Sequence, residues 1–404
     1  MSASDGTTGE PAAGWRLWPL YAAGFTTAFG AHGIAANLGN FTSHRAESLL
    51  VLGGLLALYD GAEVLLKPVF GTLADRVGAR PVLLGGLIGF AVASAAFVLA
   101  DNTGLLWLAR LSQGAAASAF SPAASTLVAR LNPASKHGRA FGSYGFYKSL
   151  GYTAGPLLGG VTVAAGGLPL LFTVMTALAA AVAVWAFAIV PAVPPLPRAR
   201  QTILDLARRL SHRSFLRPTT ALACATAALS VGVGFLPVSG AAAGLGPVVT
   251  GAAVSVLAAC AAIVQPRAGR ALDTGRLTPR TGLRTGLLIT AAGLACAMLQ
   301  GLIGVLPAAA FIGTGTGVIT PLGFAALAST TPTERLGQTM GAAELGRELG
   351  DAGGPLLVGG IATAATLASG YAALALLLFA AALVLAGSGR SAEKAQRDSD
   401  SADL

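Results

Sequence analysis

The sequence predicts an all-α integral membrane protein, with about twelve transmembrane helices arranged as two pseudo-symmetric six-helix bundles around a central cavity. Three observations predict it. The 404 residues are 54% hydrophobic and only 11% charged, at a mean hydropathy of +0.70, whereas soluble chains average about 45–50% and about 25%. Apolar runs of about 20 residues, the length that crosses a hydrocarbon core, recur about twelve times. Several short patterns also repeat at nearly one spacing, half the chain apart. A water-soluble enzyme of this length is excluded, and the 54 glycines suit close helix contacts in lipid.

The runs fall near 17–38, 49–70, 81–101, 104–128, 140–164, 168–190, 219–240, 246–266, 284–302, 305–329, 338–362 and 368–388. Residues 1–16 are expected to form an N-terminal tail, 17–190 one bundle, 191–218 a linker, 219–388 the other bundle and 389–404 a C-terminal tail. Met1 to Gly14 lack the basic and apolar regions of a cleavable signal peptide, so the first run is expected to stay as a helix. Alternate loops carry 21 Lys and Arg on one side against Arg45 alone on the other. Cationic loops stay in the cytoplasm, which predicts a multi-pass protein of the plasma or inner membrane with both termini cytoplasmic. The net charge of +9 is thus accounted for without nucleic acid. Cys224, Cys260 and Cys296 all lie in apolar runs and suggest neither a disulfide nor a metal site. In the linker, Pro191, Pro194, Pro195 and Pro197 precede a basic stretch whose Ile203, Leu204, Ala207 and Leu210 share a helical face, the pattern of an interfacial helix.

The linker separates two halves that repeat each other. Lys67-Pro68-x-x-Gly71-x-x-x-Asp75 returns 198 residues later as Gln265-Pro266-x-x-Gly269-x-x-x-Asp273. Gly151-x-x-x-Gly155-Pro156-Leu157-Leu158 returns 199 later as Gly350-x-x-x-Gly354-Pro355-Leu356-Leu357, and Ser121-Pro122 returns as Thr320-Pro321. Chance would scatter these offsets, so a duplicated six-helix unit is the economical reading. Two such halves make the architecture of an alternating-access carrier.

The loop after the second run, Gly71-Thr72-Leu73-Ala74-Asp75-Arg76-Val77-Gly78-Ala79-Arg80, resembles the signature loop of the major facilitator superfamily. Leu106-x-x-x-Arg110-x-x-Gln113-Gly114 looks like the family's fourth-helix motif. Gly151-x-x-x-Gly155-Pro156-x-x-Gly159-Gly160 is similar to the fifth-helix motif found mainly in its drug:proton antiporter branch. The chain departs from the pattern at Ala79 and Ala116, and its first run lacks the proline-rich pattern and the acid of many twelve-helix exporters. Physical reasons stand beside the resemblance. A carboxylate at Asp75 can accept bonds from a neighbouring helix N-terminus and latch one conformer, with Gly71, Arg76, Gly78, Arg80 and the repeat position Asp273 as its setting. Glycines one turn apart allow a close helix contact, and Pro156 permits a bend; Gly350, Gly354 and Pro355 repeat this hinge or packing site.

Charges at membrane depth cost about 2.5–3.5 kcal/mol each and so mark function or pairing. Asp60, Glu63 and Lys67 share one helical face, with Glu63 placed to pair with Lys67. Glu344, Arg347, Glu348 and Asp351 cluster in the eleventh run, where Arg347 can reach Glu344 or Asp351. Lys148 and Arg347 lie 199 residues apart and occupy equivalent repeat positions, and Arg110 adds a further embedded cation. The resemblance implies that helices 2 and 11, and likewise 5 and 8, meet between the halves. Proton-coupling candidates are therefore Asp60, Glu63, Lys67, Arg110, Glu344, Glu348 and Asp351. His32, Gln113, Tyr144, Tyr147, Lys148 and Arg347 are the candidates for a substrate cavity.

No nucleotide-binding loop, nucleophile constellation or metal-ligand set appears, so neither catalysis nor a cofactor is expected. The expected activity is proton-coupled efflux of small organic molecules or drugs by a monomeric secondary transporter in a lipid bilayer. The alternative is a specific carrier or symporter for a charged metabolite or inorganic ion, since a polyspecific drug cavity is more apolar than these charged spans.

Overall fold

A computed structural model describes residues 14–37, 49–99, 103–195 and 203–400. His44, Arg45 and Glu47, in the loop after the first run, lie outside the described residues. The described chain is all-α: α1 (Trp18–Asn37), α2 (Leu49–Val77), α3 (Ala79–Val98), α4 (Thr103–Ala117), α5 (Phe120–Arg130), α6 (His137–Ile189), α7 (Ile203–Leu210), α8 (Arg213–Ala242), α9 (Pro247–Asp273), α10 (Pro279–Cys296), α11 (Leu302–Thr330), α12 (Leu336–Ala364) and α13 (Leu367–Asp400). With α4 and α5 sharing the fourth run, α6 covering the fifth and sixth, and α7 in the linker, these helices account for all twelve apolar runs.

Two local departures from the simple hydropathy pattern have clear causes. The fourth run was expected as one helix over 104–128, but it breaks at Ser118–Ala119. Pro122 has no N–H to offer the carbonyl four residues back, and the Ser118 hydroxyl bonds Ala115 O at 2.6 Å. The fifth and sixth runs are joined in α6, which turns at Gly166–Gly167, where Gly167 takes φ 71° and Pro169 starts the next stretch. Gly78, at φ 101°, makes the equally sharp passage from α2 to α3.

Among the described residues, six helices or helical stretches, within α3, α6, α8, α9, α11 and α13, are long and apolar enough to cross a membrane by length and composition. The remaining runs include α2, α10 and α12, whose hydropathy is lowered by embedded or terminal charges such as Asp60, Arg284 and Arg347, and α4, which the break at Ser118–Ala119 leaves only 15 residues long. Large apolar side chains such as Leu65, Leu157, Ile303 and Leu356 are exposed, the reverse of a water-soluble surface and suited to lipid.

The helices form two compact units. The first contains residues 1–140, 150–197 and 331–341. Within it, α1 lies close against α6, so that a Cβ at Gly155 would sit 2.9 Å from Phe29 O and one at Gly33 would sit 3.0 Å from Gly155 O. Phe97 stacks on Phe172 at 4.2 Å between ring centroids. The second unit contains residues 141–149, 198–330 and 342–404. There, α8 meets α12 in the same way, with a Cβ at Gly354 placed 2.6 Å from Ala227 O. Gly155 and Gly354 are repeat-equivalent, so the same close helix pair is built once in each unit.

Candidate functional site

In the first unit, α2 runs against the opening turn of α12. Asp75, at the end of α2 and 7% exposed, accepts hydrogen bonds from the backbone N–H of Gly337 at 2.6 Å and of Gln338 at 2.7 Å. The first amides of a helix have no carbonyl behind them within the helix, so a two-pronged carboxylate satisfies both and opposes the positive end of the helix dipole. The approach needs glycines: a Cβ at Gly71 would strike Gly337 O, and one at Gly341 would lie 2.6 Å from Lys67 O. Arg76 is exposed, while Arg80 donates to Phe187 O and lies over the Phe187 ring at 5.3 Å, tying the α2–α3 turn to the end of α6.

Further along α2, Lys67 pairs with Glu63 at 2.9 Å, one helical turn away, and both side chains are largely buried. Asp60, a turn before Glu63, is exposed. Arg110 on α4 is 1% exposed and lies over the ring of Tyr59 at 4.1 Å. It donates from Nε to Leu55 O at 3.3 Å and from NH1 to Gln113 Oε1 at 2.7 Å, and Gln113 donates onward to Ser94 Oγ at 3.0 Å. Gln113 therefore serves the Arg110 network. Tyr59 and Ser94 were not foreseen, although Tyr59 adjoins Asp60 and is an aromatic residue in an otherwise charged stretch. Arg110→Lys keeps the charge but loses the fork and the flat stacking face, and is expected to destabilise the fold by about 2 kcal/mol or more. Thermal unfolding of the detergent-solubilised variant checks this, and an unchanged transition would remove the network from the stability account.

In the second unit, two cations meet one carboxylate. Arg347 NH1 lies 3.1 Å and Lys148 Nζ 3.9 Å from the same atom, Glu344 Oε2. Arg347 also donates from Nε to Thr226 Oγ1 at 3.3 Å and lies over Phe324 at 5.9 Å. Close by in sequence, Ser149 accepts from Gln265 Nε2 at 2.8 Å. Glu348 is half-buried and Asp351 exposed on the same helix as Glu344. Tyr144 is buried, and Tyr147 meets Phe146 edge-on at 5.1 Å. His32 belongs to the first unit, where it is exposed and lies edge-on to Tyr152 at 4.4 Å. Asp273, at the end of α9, is half-buried in the second unit. Of the residues not foreseen, Gln265 was signalled by its place in the repeat opposite Lys67, whereas Thr226 and Phe324 carried no signal.

The model of the Major Facilitator Superfamily matches residues 18–278 and 221–402. The chain belongs to that superfamily. Among curated relatives it is 34% identical to the MFS-type transporter ppzB of Metarhizium majus over 129 residues, 32% of this chain and 28% of that protein. It is 31% identical to the quinolone resistance protein NorA of Staphylococcus aureus over 109 residues, 27% of this chain and 28% of NorA. The matches thus span little more than a quarter of these relatives. The fold extends over whole structures: the human organic anion transporter MFSD10 (TETRAN) aligns with a TM-score of 0.78 at 18% identity, covering 92% of this chain and 99% of that one. The E. coli fucose:proton symporter FucP aligns at 0.76 and 15% identity, covering 92% and 97%. As a superfamily member the chain is a multi-pass membrane protein.

Proposed function

We propose that this superfamily member is a proton-driven antiporter that exports small organic molecules by alternating access. In this reading its two six-helix repeats, residues 17–190 and 219–388, work as a monomer in a plasma or inner membrane, with both termini cytoplasmic. The observation that carries it is the arrangement on α2, where two acids stand a turn apart in a membrane-spanning run, Asp60 exposed and Glu63 paired with Lys67 at 2.9 Å, the kind of embedded carboxylate that marks a proton path. Asp75, bonded to Gly337 and Gln338, is the latch of one conformer, with Asp273 as its counterpart in the second repeat. The fifth-helix pattern and the likeness to a quinolone resistance protein support export of organic compounds.

The test is proton flux in energised inside-out vesicles containing a pH-sensitive dye, with lipophilic cations, neutral antibiotics, organic anions and metal ions added in turn. One class is expected to drive protons out of the lumen, and Asp60→Asn to abolish that flux with expression intact. Unchanged flux in Asp60→Asn would remove this residue from the mechanism. A second reading, proton symport of a charged metabolite, is favoured by the meeting of Lys148, Glu344 and Arg347, since such a buried charge cluster suits a charged ligand better than a polyspecific drug. Protons accompanying the substrate, instead of opposing it, would select that reading.

A further inference from the structure

We infer that Lys148 and Arg347 form a subsite for the carboxylate of a small organic anion, and that Glu344 is a built-in stand-in for that carboxylate. The inference rests on the symport reading above and deepens it by naming the substrate class.

Three features of the second unit carry it. First, the geometry is not that of a pair built for stability alone. An arginine fork usually meets both oxygens of a carboxylate, but here Arg347 commits Nε to Thr226 Oγ1 and brings NH1 to Oε2 of Glu344, the oxygen that Lys148 also faces. Thr226 thus fixes the guanidinium independently of Glu344, so the cation stays in position if the acid leaves. Second, the side chains of Lys148 and Arg347 are 9% and 11% exposed, against 1% for Glu344. The cations are the more accessible members of the cluster. Third, the Phe324 ring lies 5.9 Å from the guanidinium and is itself buried on Phe141 at 5.7 Å between centroids, so Arg347 has a fixed apolar backing as well as its bond to Thr226. The two cations are equivalent in the repeat, so each half contributes the same charge to a two-sided clamp.

The coupling follows from electrostatics. An incoming carboxylate replaces Glu344 between the two cations. Glu344, displaced within a buried setting, cannot keep its charge cheaply and takes a proton from water. The charged groups against it are Lys148 on α6 and Arg347 on α12; Tyr144 and Tyr147 share α6 with Lys148, Glu348 and Asp351 share α12 with Arg347, and the neutral Thr226 on α8 and Phe324 on α11 contact Arg347. One anion and one proton therefore bind together and move in the same direction.

The purified full chain in lipid nanodiscs is titrated calorimetrically with benzoate, with its neutral amide benzamide and with tetraphenylphosphonium, in two buffers of different ionisation enthalpy so that the heat reports proton uptake. Benzoate is expected to bind at least about tenfold more tightly than benzamide, with about one proton taken up per anion. Glu344→Gln is expected to keep benzoate binding and lose the proton uptake. Lys148→Gln and Arg347→Gln should each weaken benzoate at least about tenfold; if either fails to fold, the wild-type and Glu344→Gln proton counts decide alone. Equal binding of benzoate and benzamide, or proton uptake unchanged in Glu344→Gln, would overturn the inference. Benzoate that does not bind, while tetraphenylphosphonium still drives proton flux in vesicles, removes the anion subsite and leaves a proton-coupled carrier standing. Benzoate binding with proton uptake, in a chain that moves no compound in vesicles, keeps the subsite and removes the transport reading.

Discussion

Asp75→Ala is expected to release the amides of Gly337 and Gln338 to solvent and to slow transport at least about tenfold, with the protein still folded. The two hydrogen bonds, at 2.6 and 2.7 Å, are charge-assisted and reach amides at the start of α12 that have no partner within the helix. Each such bond contributes about 1.5–3 kcal/mol. Losing each bond should raise the exchange rate of its amide at least about tenfold, since about 1.4 kcal/mol is a factor of ten. Hydrogen–deuterium exchange of the peptide covering Leu336 to Met340 reads this directly. Asp75→Asn keeps one acceptor and loses the charge, so its exchange and its transport rate should fall between wild type and Asp75→Ala. Two results would count against the account. Unchanged exchange in Asp75→Ala would mean that the bonds do not protect the amides, and faster exchange with normal turnover would mean that they do not gate transport.

Much of this was legible in the sequence, for reasons that differ from residue to residue. The Glu63–Lys67 and Glu344–Arg347 contacts follow from spacings of four and three residues, which place both partners on one helical face. The helical runs followed from hydropathy, but the break at Ser118 did not, because a hydropathy count does not register that Pro122 removes a backbone donor. The repeat made Lys148 and Arg347 equivalent without saying that both would face one oxygen of Glu344, because equivalence fixes a position in each half and not a partner. Thr226, Ser94 and Tyr59 were invisible as partners: each is a neutral side chain whose importance comes only from the arginine, or for Ser94 the Gln113 amide, brought to it by tertiary packing. Leu55 shows the limit most plainly, since it serves Arg110 through a backbone carbonyl that every residue possesses.

Gly341→Ala and Gly142→Ala are each expected to cut turnover at least about tenfold, whereas Gly353→Ala and Gly61→Ala should stay within about twofold of wild type. The four substitutions add the same single methyl group, so only its surroundings distinguish them. At Gly341 that carbon would lie 2.6 Å from Lys67 O and 3.2 Å from Pro68 Cα. At Gly142 it would lie 2.6 Å from Gln265 O and 3.0 Å from Pro266 Cα. Gly142 and Gly341 are 199 residues apart, and the Lys-Pro and Gln-Pro pairs 198, so one backbone crossing has been built twice from the duplicated unit. In both cases the obstacle is main chain, which cannot rotate aside as a side chain would. The helices must separate, at a cost of about 1–3 kcal/mol for overpacking. At Gly353, on the same helix as Gly341, and at Gly61, on the helix it meets, nothing lies within 4 Å of the added carbon. Alanine there meets no obstacle and gains helix propensity. Turnover and thermal stability of the four variants, reconstituted in parallel, separate the explanations. Loss of activity in all four would mean that glycine is needed for helix flexibility instead of contact. Loss in Gly341→Ala with a silent Gly142→Ala would mean that the two crossings, though alike in structure, do not share the work of transport.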